Sequence, residues 1–173
     1  MNLDAAVRKV PDFPKPGILF YDITSIFNSP EAFQYCVDEM FRLFKDDKID
    51  GVIAVDSRGF LMGSIYALDQ KIPLVLARKA GKLPGEIISE AYALEYGEAT
   101  LEIQVSDLTP GKRWLIIDDL IATGGTLAAV TKMIEKQDAE VAGIFSIIGL
   151  PFLGYNKKIG QYKVETLVDY QSE

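Results

Sequence analysis

The sequence predicts an α/β fold, a parallel sheet covered by helices on both faces. Three observations lead there. Apolar runs alternate with helical stretches along the chain. The runs Gly51 to Val55, Leu74 to Ala77, Trp114 to Ile117 and Val141 to Ile148 are continuous rather than alternating, as in strands buried on both faces. A pair of acids and a glycine turn follow the third run and open a helix, and ligands of parallel sheets sit at such carboxyl ends. With 173 residues the chain makes one domain, 1–173. Its folded surface should be roughly 8,000–8,500 Å².

Taken in order, Leu3 to Val10 reads as a short helix stopped by Pro11. Pro11 to Gly17, with three prolines and a glycine, reads as an extended loop. Ser29-Pro30-Glu31 is a helix start, with Ser as N-cap, Pro at the first helical position and Glu favoured by the dipole. Phe33, Cys36, Val37, Met40, Phe41 and Phe44 then recur on one helical face, and Cys36 reads as a small core residue. Gly59 to Asp69 is a second helix, and Gly125 to Lys136 a third. The tail after Gly154 reads as a short helix and a closing strand near Thr166 to Val168.

Residues 78–106 break this rhythm. They are rich in Lys, Arg and Glu, with Gly81, Gly85, Gly97 and Pro84. Thr100 to Val105 alternates polar and apolar, like an antiparallel edge strand. A polar excursion with hairpin character, inserted between core strands, reads as a lid.

Composition narrows the chemistry. There are 18 basic and 25 acidic residues, a net charge of −7. That acidity argues against broad nucleic-acid binding. One cysteine precludes an intrachain disulfide and fits a reducing compartment. The absence of histidine removes His-based zinc sites, Ser-His-Asp triads and imidazole bases. Met1 to Val10 has no signal-like apolar stretch, and the uncharged run Val141 to Asn156 is broken by Pro151. The expected setting is cytoplasmic, with no membrane partner.

The segment Trp114-Leu-Ile-Ile-Asp118-Asp119-Leu120-Ile121-Ala122-Thr123-Gly124-Gly125-Thr126 is the most informative. Its glycines let backbone N–H groups converge, its threonines add hydroxyls, and the helix start adds positive potential. Together these make a phosphate cradle without a P-loop lysine. The two carboxylates accept hydrogen bonds and repel phosphate, so they suit a vicinal diol. A ribose 5-phosphate meets both demands: its hydroxyls on Asp118 and Asp119, its phosphate on Ala122, Thr123, Gly124, Gly125 and Thr126.

This segment resembles the phosphoribosyl-diphosphate motif of the type I phosphoribosyltransferases. Three further segments resemble the adenine-specific branch of that family: Phe13 to Thr24, Asp56-Ser57-Arg58-Gly59-Phe60, and Arg78 to Gly85 continuing to Leu94-Glu95-Tyr96-Gly97. The resemblance implies a Rossmann-like parallel core with an inserted hairpin-like lid at about 78–106. It implies transfer of a 5-phosphoribosyl group from phosphoribosyl diphosphate to adenine, giving AMP and diphosphate in purine salvage, and a homodimer.

It also implies residue roles. Ser57, Arg58, Arg78 and Lys79 would hold the diphosphate, with a cis peptide at Asp56-Ser57; read alone, Ser57 could equally cap a helix with Arg58 in solvent. Leu19, Phe20 and Tyr21 would meet adenine, largely through backbone groups, with Phe20 stacked on the ring and Leu120 over the other face. Core packing is the other reading of Phe20, and many relatives carry Arg where this chain has Tyr21. Arg58 and Lys79 would stabilise the leaving diphosphate. Glu95, helped by Tyr96, would move the ring proton, or it is one more solvated lid acid. Mg²⁺ would arrive on the substrate's diphosphate, with Asp118 and Asp119 outside its direct coordination and no protein cage of its own. Ser146 to Gly154 carries no charge, which weighs against 6-oxopurines. Transfer to another base, or a non-catalytic sensor of phosphoribosyl diphosphate, are the alternatives.

Overall fold

The computed structural model describes residues 1–93 and 97–172, with Ala93 by its backbone only. The accessible surface is 8724 Å², close to the area expected from chain length.

The elements in chain order are a 3₁₀ turn (Leu3–Ala6), β1 (Arg8–Pro11), β2 (Leu19–Asp22), α1 (Thr24–Phe27), α2 (Pro30–Phe44), β3 (Gly51–Val55), α3 (Gly59–Gln70) and β4 (Leu74–Lys79). Then follow β5 (Ile87–Ala93), β6 (Glu98–Gln104), β7 (Arg113–Ile117), β8 (Leu120–Ile121), α4 (Gly125–Glu135), β9 (Glu140–Gly149), α5 (Asn156–Ile159) and β10 (Val164–Asp169). The main sheet runs β10-β9-β7-β3-β4-β6-β5, with β8 against β9. β10, β9, β7, β3 and β4 are mutually parallel. Helices α2 and α3 pack on one face, and α4 and α5 on the other. β3 is buried along its whole length, which accounts for its unbroken apolar sequence.

The predicted cap of α2 is present. Ser29 Oγ accepts from Ala32 N–H at 3.3 Å, and Pro30 opens the helix. Cys36 is fully buried on its apolar face, and burial pushes its thiol up to about 12. Among the described residues no helix is long and apolar enough to cross a membrane.

Three expectations need correction. The helix predicted over Leu3 to Val10 ends at Ala6, and Arg8–Pro11 pairs antiparallel with Leu19–Asp22. The Arg8-Lys9-Val10 run completes no helical turn before Pro11, and the β2 ladder offers its backbone better partners. The strand Leu19–Asp22 and the helix Thr24–Phe27 were absent from the sequence reading; each is four residues, too short to show a period.

The third correction concerns residues 78–106. Thr100 to Val105 is not an edge: β6 pairs with both β4 and β5, and β5 is the outer strand. Leu101 and Ile103 are buried in the core, and the buried Glu102 carboxylate accepts from Gly81 N–H at 2.9 Å. The hairpin therefore extends the sheet. Because β6 runs antiparallel to β4 and pairs Lys79 with Leu101, its first residues project past the carboxyl end of β4.

Candidate active site

Parallel strands end at one edge of a sheet, and here that edge collects the charged residues. Register matches Val55 with Ala77 and Ala54 with Ile117. Asp56 after β3, Arg78 near the end of β4 and Asp118-Asp119 after β7 thus lie within about one residue of the same level on three neighbouring strands. Helix α3 starts against this edge. A Cβ on Gly59 would lie 2.6 Å from the Ile117 carbonyl oxygen and 3.1 Å from the Asp118 Cα, so only glycine lets the two segments meet.

The cations and acids are already paired. Arg58 Nε donates to Asp119 Oδ2 at 2.5 Å, across 61 residues of sequence. The Asp119 side chain is nearly buried, while about half of the Arg58 side chain faces solvent. Lys82 Nζ donates to Asp56 Oδ2 at 2.9 Å, and Arg78 Nε lies 3.5 Å from the same oxygen. The Arg78 guanidinium also lies over the Phe60 ring, 5.9 Å from its centroid. Burial pushes the Asp56 carboxyl up, but Lys82, the Lys79 backbone N–H and Arg78 outweigh it and hold it below the usual range. Lys79 itself is exposed at the end of β4. The peptide Asp56-Ser57 is cis, as the resemblance implied. Ser57 does not cap α3: its carbonyl accepts from Phe60 N–H, and Arg58 occupies the cap position.

Asp118 is a buried acid. Burial first, then the neighbouring Asp119 charge, push its carboxyl well above the ordinary range. Its Oδ1 accepts from Asp119 N–H at 2.8 Å. The loop from Ala122 leads to Gly124, at φ 73°, where a Cβ would lie 2.9 Å from the Tyr155 Cβ. The cap residue of α4 is Gly124, which has no side chain to bond the first turn, so among the described residues its leading N–H groups remain open to an anion beside the Thr123 and Thr126 hydroxyls.

The base-contacting segment divides by strand alternation. Leu19 and Tyr21 turn into the core beneath α2. Phe20 points the other way and meets Phe13 edge to face, 5.1 Å between centroids. The Tyr21 ring is buried and stacked on Tyr170, which leaves its backbone on the Phe20 side. Leu120 is half-buried at the start of β8, directly after the acids. Asp22, at the end of β2, accepts from the Thr24 hydroxyl and backbone N–H, and these bonds, followed by the Arg8 and Arg58 charges, hold its carboxyl below the usual range. Glu95 and Tyr96 lie outside the described residues.

Sequence reasoning missed the Asp56 carboxylate as the partner of two cations, although Asp56 and Lys82 both lay inside quoted motifs. It also missed Tyr170, whose only sequence signal is its place just after the closing strand. Among the described residues, no three His, Cys, Asp or Glu side chains come together as a metal cage. The donor set present, one burial-raised carboxyl and one carboxylate tied to Arg58, fits a divalent cation that brings most of its ligands with the substrate.

Comparison with known proteins agrees with this geometry. The family described as "Phosphoribosyl transferase domain" matches residues 22–171. The chain is 52% identical over 171 residues to the adenine phosphoribosyltransferase of Treponema denticola, covering 99% of this chain and 90% of that one. It is 41% identical to the enzyme of that name from Kosmotoga olearia, covering 98% of this chain and all of the other. The crystal structure of adenine phosphoribosyltransferase from Thermoanaerobacter pseudethanolicus superposes with a TM-score of 0.92 at 38% identity, covering 97% of this chain and 98% of that one. The Saccharomyces cerevisiae enzyme, solved with an imino-altritol bisphosphate and adenine, gives 0.89 at 38% identity, covering 96% of each chain. Fold, motif order and whole-length identity agree, and the chain belongs to the phosphoribosyltransferase family, among its adenine phosphoribosyltransferases.

Proposed function

We propose that this protein transfers the 5-phosphoribosyl group of phosphoribosyl diphosphate to adenine, releasing AMP and diphosphate. The observation that supports it best is the juxtaposition at one sheet edge. Two acids and an open helix start stand on one side, Arg58 reaches them by its bond to Asp119, and Arg78, Lys79 and Lys82 stand beyond. That layout matches a ligand with a diol and a phosphate at one end and a diphosphate at the other.

In this reading the substrate exchanges partners with the protein. The ribose hydroxyls take Asp119 and Asp118, and the diphosphate takes Arg58, Arg78, Lys79 and the Ser57 loop. The 5-phosphate settles on the residues from Ala122 to Thr126. The bond between C1′ and the diphosphate oxygen then breaks, its electron pair leaving on diphosphate, where the cations stabilise the growing charge. Adenine, between Phe20 and Leu120, forms the new bond from N9 to C1′ on the opposite face, with inversion. Its ring proton passes to the Glu95 carboxylate. Where Mg²⁺ accompanies the diphosphate it would add charge neutralisation, and Asp118 and Asp119 are the residues that would hold it, through water. Residues 78–106 serve as the lid in this reading, closing over the sugar and excluding water.

The working unit in this reading is a homodimer in the cytoplasm. Leu61 and Leu68 on α3 and Leu74 at the start of β4 are exposed apolar side chains suited to a second copy. Light scattering that returns a monomeric mass would remove the dimer.

The deciding experiment is an assay with phosphoribosyl diphosphate and Mg²⁺ against adenine, hypoxanthine, guanine, xanthine and orotate. AMP formation with adenine alone is expected. Turnover of another base would overturn the adenine reading, and binding without turnover would point to a sensor. Glu95→Gln should lower kcat about a hundredfold with KM for adenine little changed. An unchanged kcat would take Glu95 out of the reaction.

A further inference from the structure

The β1–β2 hairpin carries Phe20 but forms a separate two-stranded sheet, with no ladder to the main one among the described residues. Such a ribbon is marginal by itself, so side-chain packing must set its position over the site. One residue of the C-terminal tail packs directly on the hairpin. The Tyr170 ring stacks on Tyr21, neighbour of Phe20, at 3.8 Å between centroids and 15° between planes. Tyr170 is fastened on three sides. Its hydroxyl donates to Asp4 Oδ1 at 2.7 Å, and Lys9 Nζ, from β1, lies 5.2 Å from its ring centroid. Its backbone N–H donates to the Gly149 carbonyl at 3.0 Å. Gly149 is in turn the register partner of Ile121 in β8, one residue after Leu120.

Tyr170 therefore joins the strand beside Phe20 to the strand end beside Leu120. These are the two groups assigned above to the two faces of the base. We propose that Tyr170 is a positioning residue for adenine, acting through the Tyr21 ring to hold Phe20 at its distance from Leu120. The proposal rests on the adenine reading above. It gives the C-terminal tail a role in base binding and gives Tyr21 a reason to be aromatic. A side chain that only added stability would affect both substrates alike; one that sets the base pocket affects adenine alone.

The test is steady-state kinetics on Tyr170→Ala and Tyr170→Phe, with thermal unfolding of each. Tyr170→Ala should raise KM for adenine about tenfold and leave KM for phosphoribosyl diphosphate within about twofold. Tyr170→Phe keeps the stacked ring and should keep KM for adenine within about twofold of the parent. An unchanged KM for adenine in a folded Tyr170→Ala, a parallel rise in both KM values, or a Phe variant as impaired as the Ala variant would overturn the proposal. The unmodified protein offers a second readout if Tyr170→Ala does not fold. Coupling between sites is reciprocal, so AMP should slow carboxypeptidase removal of the last four residues and ribose 5-phosphate should not. Equal trimming with and without AMP would also overturn it. A parent protein that does not turn over adenine would refute the adenine reading instead.

Discussion

The two ends of the site are built differently. The sugar-phosphate end comes from one contiguous run, Asp118 to Thr126, between the end of β7 and the first turn of α4. The base end is assembled from Phe20 in a separate hairpin, Leu120 after the acids, and the tail that holds them in relation. A contiguous site inherits its geometry from one strand, one turn and one helix start. An assembled site depends on how distant segments pack. The first meets distant segments at single contacts, such as Gly59 against Ile117 and Asp118, and the second is made of such contacts throughout.

The largest effect should come from the contiguous end. Asp118→Asn with Asp119→Asn should weaken phosphoribosyl-diphosphate binding at least about a hundredfold by calorimetry, since the diol loses both charged acceptors. Near-normal binding would detach the acids from the sugar and end the comparison at its root.

A smaller effect, with opposite signs for two ligands, is expected at Arg58. In the free protein this side chain occupies Asp119. A ligand carrying a diphosphate compensates Arg58 for leaving, whereas ribose 5-phosphate does not. Arg58→Gln should therefore weaken phosphoribosyl-diphosphate binding about tenfold and tighten ribose 5-phosphate binding about threefold. Weaker binding of both would mean that Arg58 orients Asp119 rather than competing for it.

The smallest effect is on stability. Burial and the Asp119 charge raise the Asp118 carboxyl above its ordinary 3.8. The folded state thus holds that proton more tightly than the unfolded state. The contribution is fully present below pH 3.8 and is lost as pH rises through the folded value. Asp118→Asn removes the loss and should raise Tm at pH 7 by about 3 °C, with the gain absent at pH 3. A Tm at pH 7 equal to or below the parent's would show that the free site does not strain this acid.

Much of this architecture was legible in the chain. The buried parallel strands announced themselves as unbroken apolar runs, the α2 start as Ser-Pro-Glu, and the sugar-phosphate loop as acids followed by Thr-Gly-Gly-Thr. Each is a local pattern whose physical cause lies within a few residues of itself. The β1–β2 hairpin was not legible, because four-residue strands carry no period and Arg8-Lys9-Val10 is as compatible with a helix. The sheet position of β6 was not legible either. Alternation in Thr100 to Val105 shows a strand but cannot say whether one neighbour or two will flank it.

By itself, then, the sequence determined the α/β class, the positions of its core strands along the chain and the chemistry at the end of β7, because local backbone preference and hydrophobic pattern decide those. Tertiary structure alone decided which charges meet. Arg58 reaches Asp119 across 61 positions, Lys82 reaches Asp56 across 26, and Tyr21 meets Tyr170 from opposite ends of the chain. Pairings of that separation are set by strand register and helix placement, which no short window of sequence contains.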